Sequence, residues 1–335
     1  MIRSSYKNIP VTHVSEKKNG HGTEPTHKNK EDEVNPPHQE EVSGLTERQT
    51  KIMGVVDSIQ LEQWDPRKLP KSFFVVFEGK RRTGKSTMCK WLLQYYKNNF
   101  SLAWCMTMTK ASYYWQEFVG SDFTFGGWAP NAIAKLIERN DKIIKEFGED
   151  SDTTYKLAST LIILDDVISA NIHKDPTLIR LAVEGRHHMI SVVLLTQDTK
   201  AISPCIRDNA DVAIIFNMKT DRNKEAVWRD FMNDVPKDIG YGLISKHCVE
   251  HDSLVCVQTN LNADIQRNYF ISVGDKTQLD DPDYALGDEK QKALVVGERI
   301  HRKNEMKMKA KGLQPSENDD TMLYTVDKIL RRKYN

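Results

Sequence analysis

No stretch of this 335-residue chain is apolar over the ~20 residues a membrane-spanning helix needs. The opening residues, MIRSSYKNIPVTH, lack the apolar core of a secretory signal. The five cysteines, Cys89, Cys105, Cys205, Cys248 and Cys256, are scattered and odd in number, which argues against a disulfide framework and for a reducing compartment. An excess of one charge is also missing. With 48 Lys and Arg against 47 Asp and Glu, the net charge is +1, so composition alone does not mark a nucleic-acid binder, although an average can hide a basic face. Apolar content is 39% and mean hydropathy −0.57, low for a wholly compact chain, which predicts polar ends around an ordinary core. There is no internal repeat. These absences predict a soluble, intracellular protein with no membrane insertion.

What is present is organised around Phe73 to Thr87, FFVVFEGKRRTGKST. An apolar, β-branched and aromatic run leads into Gly79 and then Gly84-Lys85-Ser86, the G-x-x-x-x-G-K-[ST] spacing of a phosphate-binding loop. The glycines let the backbone turn tightly and present N–H groups to phosphate oxygens. Lys85 brings a point charge to the β- and γ-phosphates, and the Ser86 hydroxyl is a ligand for Mg²⁺. The cradle as a whole is Gly79, Lys80, Arg81, Arg82, Thr83, Gly84, Lys85, Ser86 and Thr87. Met88–Lys97 has no Gly or Pro and is predicted to continue as a helix, whose positive N-terminal end adds to phosphate attraction.

Residues 1–44 are rich in Lys, Glu, His, Asn and Pro and are predicted to be a disordered tail. His13, His21, His27 and His38 are read as part of that tail. Thr46–Gln63 is predicted as a short helix capped by Thr46. Leu102–Met108 reads as a second strand. The aromatic stretch 111–129 reads as a packed excursion over the sheet, with base stacking as the alternative. Asn131–Phe147 has the apolar spacing of an amphipathic helix, followed by an acidic turn over Gly148–Thr154.

Thr160–Asp166 (TLIILDD) is the second key stretch: an apolar strand ending in two carboxylates, the pattern of a Mg²⁺ site downstream of a phosphate loop. Asp165 is assigned to the metal and Asp166 to polarising the attacking water. Asp175–Val183 is predicted as a helix and Ile190–Gln197 as a buried strand. That strand ends in Gln197, positioned to sense the γ-phosphate. Asp211–Phe216 is a further strand and Asp221–Asn233 a charged helix. Leu254–Gln258 and Asn268–Val273 read as a closing antiparallel pair. Cys248, His251 and Cys256 lack the second paired cluster of a zinc site. Glu289–Lys311, with Arg299, Arg302, Lys303, Lys307, Lys309 and Lys311, is predicted as an exposed helix, and Val326–Asn335 as a basic end. The alternation of strands and helices predicts an α/β fold with a mostly parallel, doubly wound sheet. The expected layout is a tail at 1–44, an ATPase domain at 45–274 and a basic, partly helical C-terminal extension at 275–335.

The ordered set DPRKLP (65–70), GKRRTGKST (79–87), LIILDD (161–166), GRHHMISVVLLTQ (185–197) and IRDNADVAIIF (206–216) resembles the DNA-packaging ATPases of the nucleocytoplasmic large DNA viruses, including those of poxviruses. These lie within the FtsK/HerA superfamily of P-loop NTPases. The resemblance covers residues 64–273. It implies an ATP- and Mg²⁺-dependent, homo-oligomeric ring that moves double-stranded DNA into a capsid, working in the host cytoplasm at viral assembly sites with a capsid or portal component as a candidate partner. It also implies an arginine that reaches a neighbour's ATP, with Arg186 and Arg207 as the two candidates. Asp165-Asp166 departs from the Asp-Glu of many relatives in the wider superfamily, so the shorter Asp166 would act through a shifted water. Three other readings compete: a nucleotide kinase-like phosphotransferase, a non-packaging DNA translocase and a nucleotide switch. A kinase would need a lid with paired arginines. A GTPase would need an N/T-K-x-D element, and Asn217-Met218-Lys219-Thr220-Asp221 has the wrong spacing.

Overall fold

Among the described residues eight strands form one sheet: β1 (Phe74–Glu78), β2 (Leu102–Thr107), β3 (Thr124–Phe125), β4 (Thr160–Asp165), β5 (Ile190–Thr196), β6 (Val212–Ile215), β7 (Ser253–Val257) and β8 (Tyr269–Ser272). Their order across the sheet is β3-β2-β4-β5-β1-β6-β7-β8. The strands from β3 through β6 run parallel, and β7 and β8 close the sheet antiparallel. This is the predicted mostly parallel α/β sheet with its antiparallel closing pair. The structure, a computed structural model, describes residues 47–108, 113–167, 172–197, 202–260, 264–274 and 278–311. The predicted tail at 1–44, the Thr46 cap and the Val326–Asn335 end lie outside the described residues.

The helices are α1 (Glu47–Ser58), α2 (Lys85–Gln94), α3 (Tyr113–Val119), α4 (Pro130–Phe147), α5 (Asp152–Ala158), α6 (Pro176–Glu184), α7 (Pro204–Arg207), α8 (Asp221–Phe231), α9 (Lys237–His247), α10 (Ile265–Asn268) and α11 (Glu289–Ala310). Helices cover both faces of the sheet, so β1 reads as a continuous apolar run: Val75, Val76 and Phe77 are all fully buried. Val76, Ile162 and Leu194 pack on one side with Ile133 and Ile137 of α4, Leu181 of α6 and Leu243 of α9. Val75, Phe77, Ile163 and Leu195 pack on the other with Leu92 and Leu93 of α2 and Trp115 of α3. Each such side chain contributes about 1.5–3 kcal/mol by leaving water.

Three expectations change. The acidic turn predicted at Gly148–Thr154 becomes helix from Asp152, because the Ser151 hydroxyl accepts the Thr153 N–H (3.2 Å) and caps it. A helix at Lys237–His247, not anticipated from sequence, packs beside α8 and α1. The helix expected to be exposed at Glu289–Lys311 is buried over its first half. There β3 pairs only with Cys105 and Met106, which leaves the β2 edge open at Ala103. The Gln291 amide fills the gap. Its Oε1 accepts the Ala103 N–H (3.0 Å), and its Nε2 donates to the carbonyls of Ala103 (2.7 Å) and Val119 (2.8 Å). Among the described residues no helix is long and apolar enough to cross a membrane.

Candidate active site at the carboxyl ends of the strands

β1 ends at Glu78, and the chain turns at once into the phosphate loop. Gly79 sits so close to β6 that an added Cβ would lie 2.6 Å from Phe216 Cβ, so only glycine fits. Gly84 has φ 97°, a left-handed conformation that lets the loop close onto the start of α2. Arg82 is left-handed too (φ 63°), a strained setting for a side chain of its size. The Thr83 hydroxyl donates to the Lys80 carbonyl (2.8 Å) and ties the loop across itself.

The Lys85 ammonium is folded into its own loop, donating to the carbonyls of Gly79 (2.6 Å) and Lys80 (2.8 Å). Burial pushes its pKa down, while the charges of Asp166, Glu78 and Asp165 act in the opposite direction. Beside the ammonium opens a cavity of about 400 Å³ whose walls include Arg82, Lys85, Ser86, Thr87, Tyr114 and Asp165.

Asp165 is the last residue of β4. Its Oδ2 accepts the Trp115 Nε1–H at 2.7 Å. Burial raises its pKa, and the indole hydrogen bond works against that rise. Asp166 follows in left-handed backbone (φ 53°) and is exposed. Its N–H donates to the Leu195 carbonyl (3.1 Å), which ties it to β5, and its carboxylate accepts the Gln197 side-chain N–H. Strand ends far apart in sequence thus bring Asp166 and Gln197 together.

The structure therefore gathers Arg82, Thr83, Gly84, Lys85, Ser86, Thr87 and Asp165 around one cavity, with the Asp166–Gln197 pair at hand. Arg81 is exposed on the loop. The two candidate arginines are not in this group. Arg186 is exposed at the amino ends of the strands, where its charge acts on Asp211. Arg207 is buried, donating to the Ile202 carbonyl (3.0 Å) and paired with Asp230 at 3.1 Å, with side chains 9% and 6% exposed.

Two residues at this site were not singled out from sequence. Glu78 is a buried carboxylate one residue before the loop, signalled by an acid closing an apolar strand. Trp115 was read as part of a packed excursion, with base stacking as the alternative, and not as a partner of Asp165. Its signal was that a buried indole N–H needs an acceptor, and a strand-end carboxylate supplies one.

The phosphate loop, the paired strand-end carboxylates and the parallel sheet around them define a P-loop ATPase. Residues 62–237 match the family model of the Poxvirus A32 protein. The chain belongs to that family of packaging ATPases and is itself an ATPase. It is 20% identical over 218 residues to an uncharacterized protein of Acanthamoeba polyphaga mimivirus, covering 64% of this chain and 77% of that one. It is 25% identical over 167 residues to an uncharacterized protein of Frog virus 3 (isolate Goorha), of which it spans 50%. Among solved structures it is similar to the genome packaging NTPase B204 of Sulfolobus turreted icosahedral virus 2 in complex with AMPPCP. That similarity has 16% identity and a TM-score of 0.39, over 61% of this chain and 99% of that one. It is also similar to the pCW3 conjugation coupling protein TcpA (15% identity, TM-score 0.43, 65% of this chain and 70% of that one).

Proposed function

We propose that this chain is a motor: it hydrolyses ATP with Mg²⁺ in an oligomeric ring and moves double-stranded DNA into a viral capsid. The observation that carries the reading is the single cavity shared by the phosphate loop and Asp165, with Asp166 and Gln197 beside it.

On ATP binding, Lys85 gives up the carbonyls of Gly79 and Lys80 for the β- and γ-phosphate oxygens. The exchange keeps its charge compensated throughout. The residues also fit Mg²⁺. The Ser86 hydroxyl and the Asp165 carboxylate are hard oxygen donors on one cavity. Among the described residues no cluster of three or more His, Cys, Asp or Glu forms a closed metal cage. Mg²⁺ needs none, because it is held by one or two protein oxygens and the substrate's phosphates. Bound there, it neutralises charge developing on the phosphate oxygens. Asp166 accepts a hydrogen bond from the attacking water, and Gln197, already against Asp166, registers whether the γ-phosphate is present.

Arg186 faces away from this chain's own cavity, so a catalytic role for it requires a second subunit. Arg207 takes that role only by leaving Asp230. Exposed cations on the second half of α11, Lys303, Lys307 and Lys309, and Lys311 just past its end suit DNA phosphate. Arg299 is already engaged by the carbonyls of Glu117, Asp283 and Tyr284.

The test is ATP turnover by the purified chain with and without long double-stranded DNA. The motor reading expects turnover that DNA stimulates and that falls by about 10²–10³-fold in Lys85→Ala. Turnover indifferent to DNA, or requiring a small phosphate acceptor, rejects the motor and supports a phosphotransferase.

A further inference from the structure

Asp165, Asp166 and Gln197 stand at the carboxyl ends of β4 and β5, which lie to one side of β1. A nucleotide seated in the loop with its γ-phosphate toward those residues must send its nucleoside the other way, toward β6, β7 and β8. On that side stands His251. Its ring packs against the phosphate loop: a Cβ added to Gly84 would lie 3.5 Å from His251 Nδ1 and 3.7 Å from His251 Cβ.

Several features hold the ring there. Glu250, immediately before it, adopts left-handed backbone (φ 53°). Behind it Gly274 has no room for a side chain, because a Cβ would fall 2.7 Å from His251 Cβ and 3.0 Å from its carbonyl oxygen. The Gly274 N–H donates to Asp252 Oδ1 at 2.7 Å and locks the start of β7 to the end of β8. β8 is in turn seated on α2, with the Ser272 hydroxyl 3.4 Å from Met88 Sδ. The result is an exposed aromatic ring on fixed backbone at the mouth of the loop, on the side away from the carboxylates.

We propose that His251 is a nucleoside-binding residue whose imidazole face stacks on the base of the bound ATP. The proposal rests on the reading of the loop as an ATP site. A ring already held in place loses little freedom on binding, and every base offers it a π-face. Stacking of this kind favours a nucleoside triphosphate over bare triphosphate. It favours the larger purines without choosing strictly between them.

The test is equilibrium binding of ATP and of inorganic triphosphate to the full chain, comparing wild type with His251→Ala, His251→Phe and Gly274→Ala. His251→Ala is expected to weaken ATP binding about tenfold and leave triphosphate binding unchanged. His251→Phe restores ATP binding. Gly274→Ala, which drives a methyl into His251, repeats the selective loss. An equal loss for both ligands, or no loss for either, overturns the proposal while the phosphate site stands. Failure of the ATP-site reading looks different: wild type then binds neither ligand, which overturns both.

Discussion

The two ends of the parallel strands carry the same kinds of polar side chain and use them in opposite ways. At the amino ends, Asp211 Oδ2 accepts the Phe74 N–H at 2.6 Å. Asn140 donates to the carbonyls of Ala158 (2.8 Å) and His188 (2.9 Å), and Arg207 pairs with Asp230. These partners belong to core strands and helices. At the carboxyl ends, Lys85 is held by carbonyls of its own loop, Asp165 by an indole on the seven-residue helix α3, and Asp166 by Gln197. Those partners sit on loops and one short helix around a cavity. A polar group whose partners are built into the core stabilises the fold. One whose partners can be exchanged for a ligand is available for chemistry.

The sharpest challenge to this contrast is Arg207→Ala. It takes from the Asp230 carboxylate its buried cation and leaves it only the exposed Arg229 (3.1 Å), and a loss of about 3 kcal/mol, the low end for breaking a buried pair, is expected in denaturant unfolding. Unchanged stability would erase the distinction between the two ends. Lys85→Ala is the converse: unfolding close to wild type, with ATP turnover reduced by about 10²–10³-fold. A comparable loss of stability would make Lys85 a structural residue.

Trp115→Phe keeps most of the ring and removes its N–H. Turnover should fall about tenfold, the worth of one hydrogen bond to a charged group. Because that bond lowers the Asp165 pKa, its loss raises it, and the acid limb of the rate profile should move to higher pH. A drop in rate with an unmoved limb would assign Trp115 to packing alone.

A last prediction probes what anchors α3. Lys90 of α2 donates to the Tyr114 carbonyl (2.9 Å) with its ammonium 3.0 Å from the Tyr114 ring centroid, and burial pushes its pKa down to about 7. The unfolded chain holds that proton up to its ordinary pKa of 10.5, so stability should rise with pH above about 7. Lys90→Met should flatten the rise in unfolding free energy measured between ~pH 7 and ~pH 9. An unaltered slope would move its origin to another group.

Much of the frame was legible in the sequence because its signals are local. β1, β4, β5 and β6 lie close to their predicted runs, since a strand buried on both faces must be apolar throughout. The phosphate loop was legible because its turn and its charge need particular residues at fixed offsets. The helix Lys237–His247 was hidden by its glycines, which lower helix propensity. The fold requires them: a Cβ at Gly240 would lie 2.6 Å from Trp228, and one at Gly242 would lie 2.5 Å from Val56. Close packing decides against propensity there.

The sequence by itself determined the class of fold, the cradle for phosphate and the pair of acids that face it, because each depends on neighbours along the chain. Only the tertiary structure decided which polar residues share a cavity. It separated Arg186 and Arg207 from that cavity, brought Trp115 onto Asp165, set His251 against Gly84 and laid Gln291 along an open strand edge. Each of those relations joins residues distant in sequence. Strand order and the packing of helices on the sheet set the distances between them, and no local pattern carries that information.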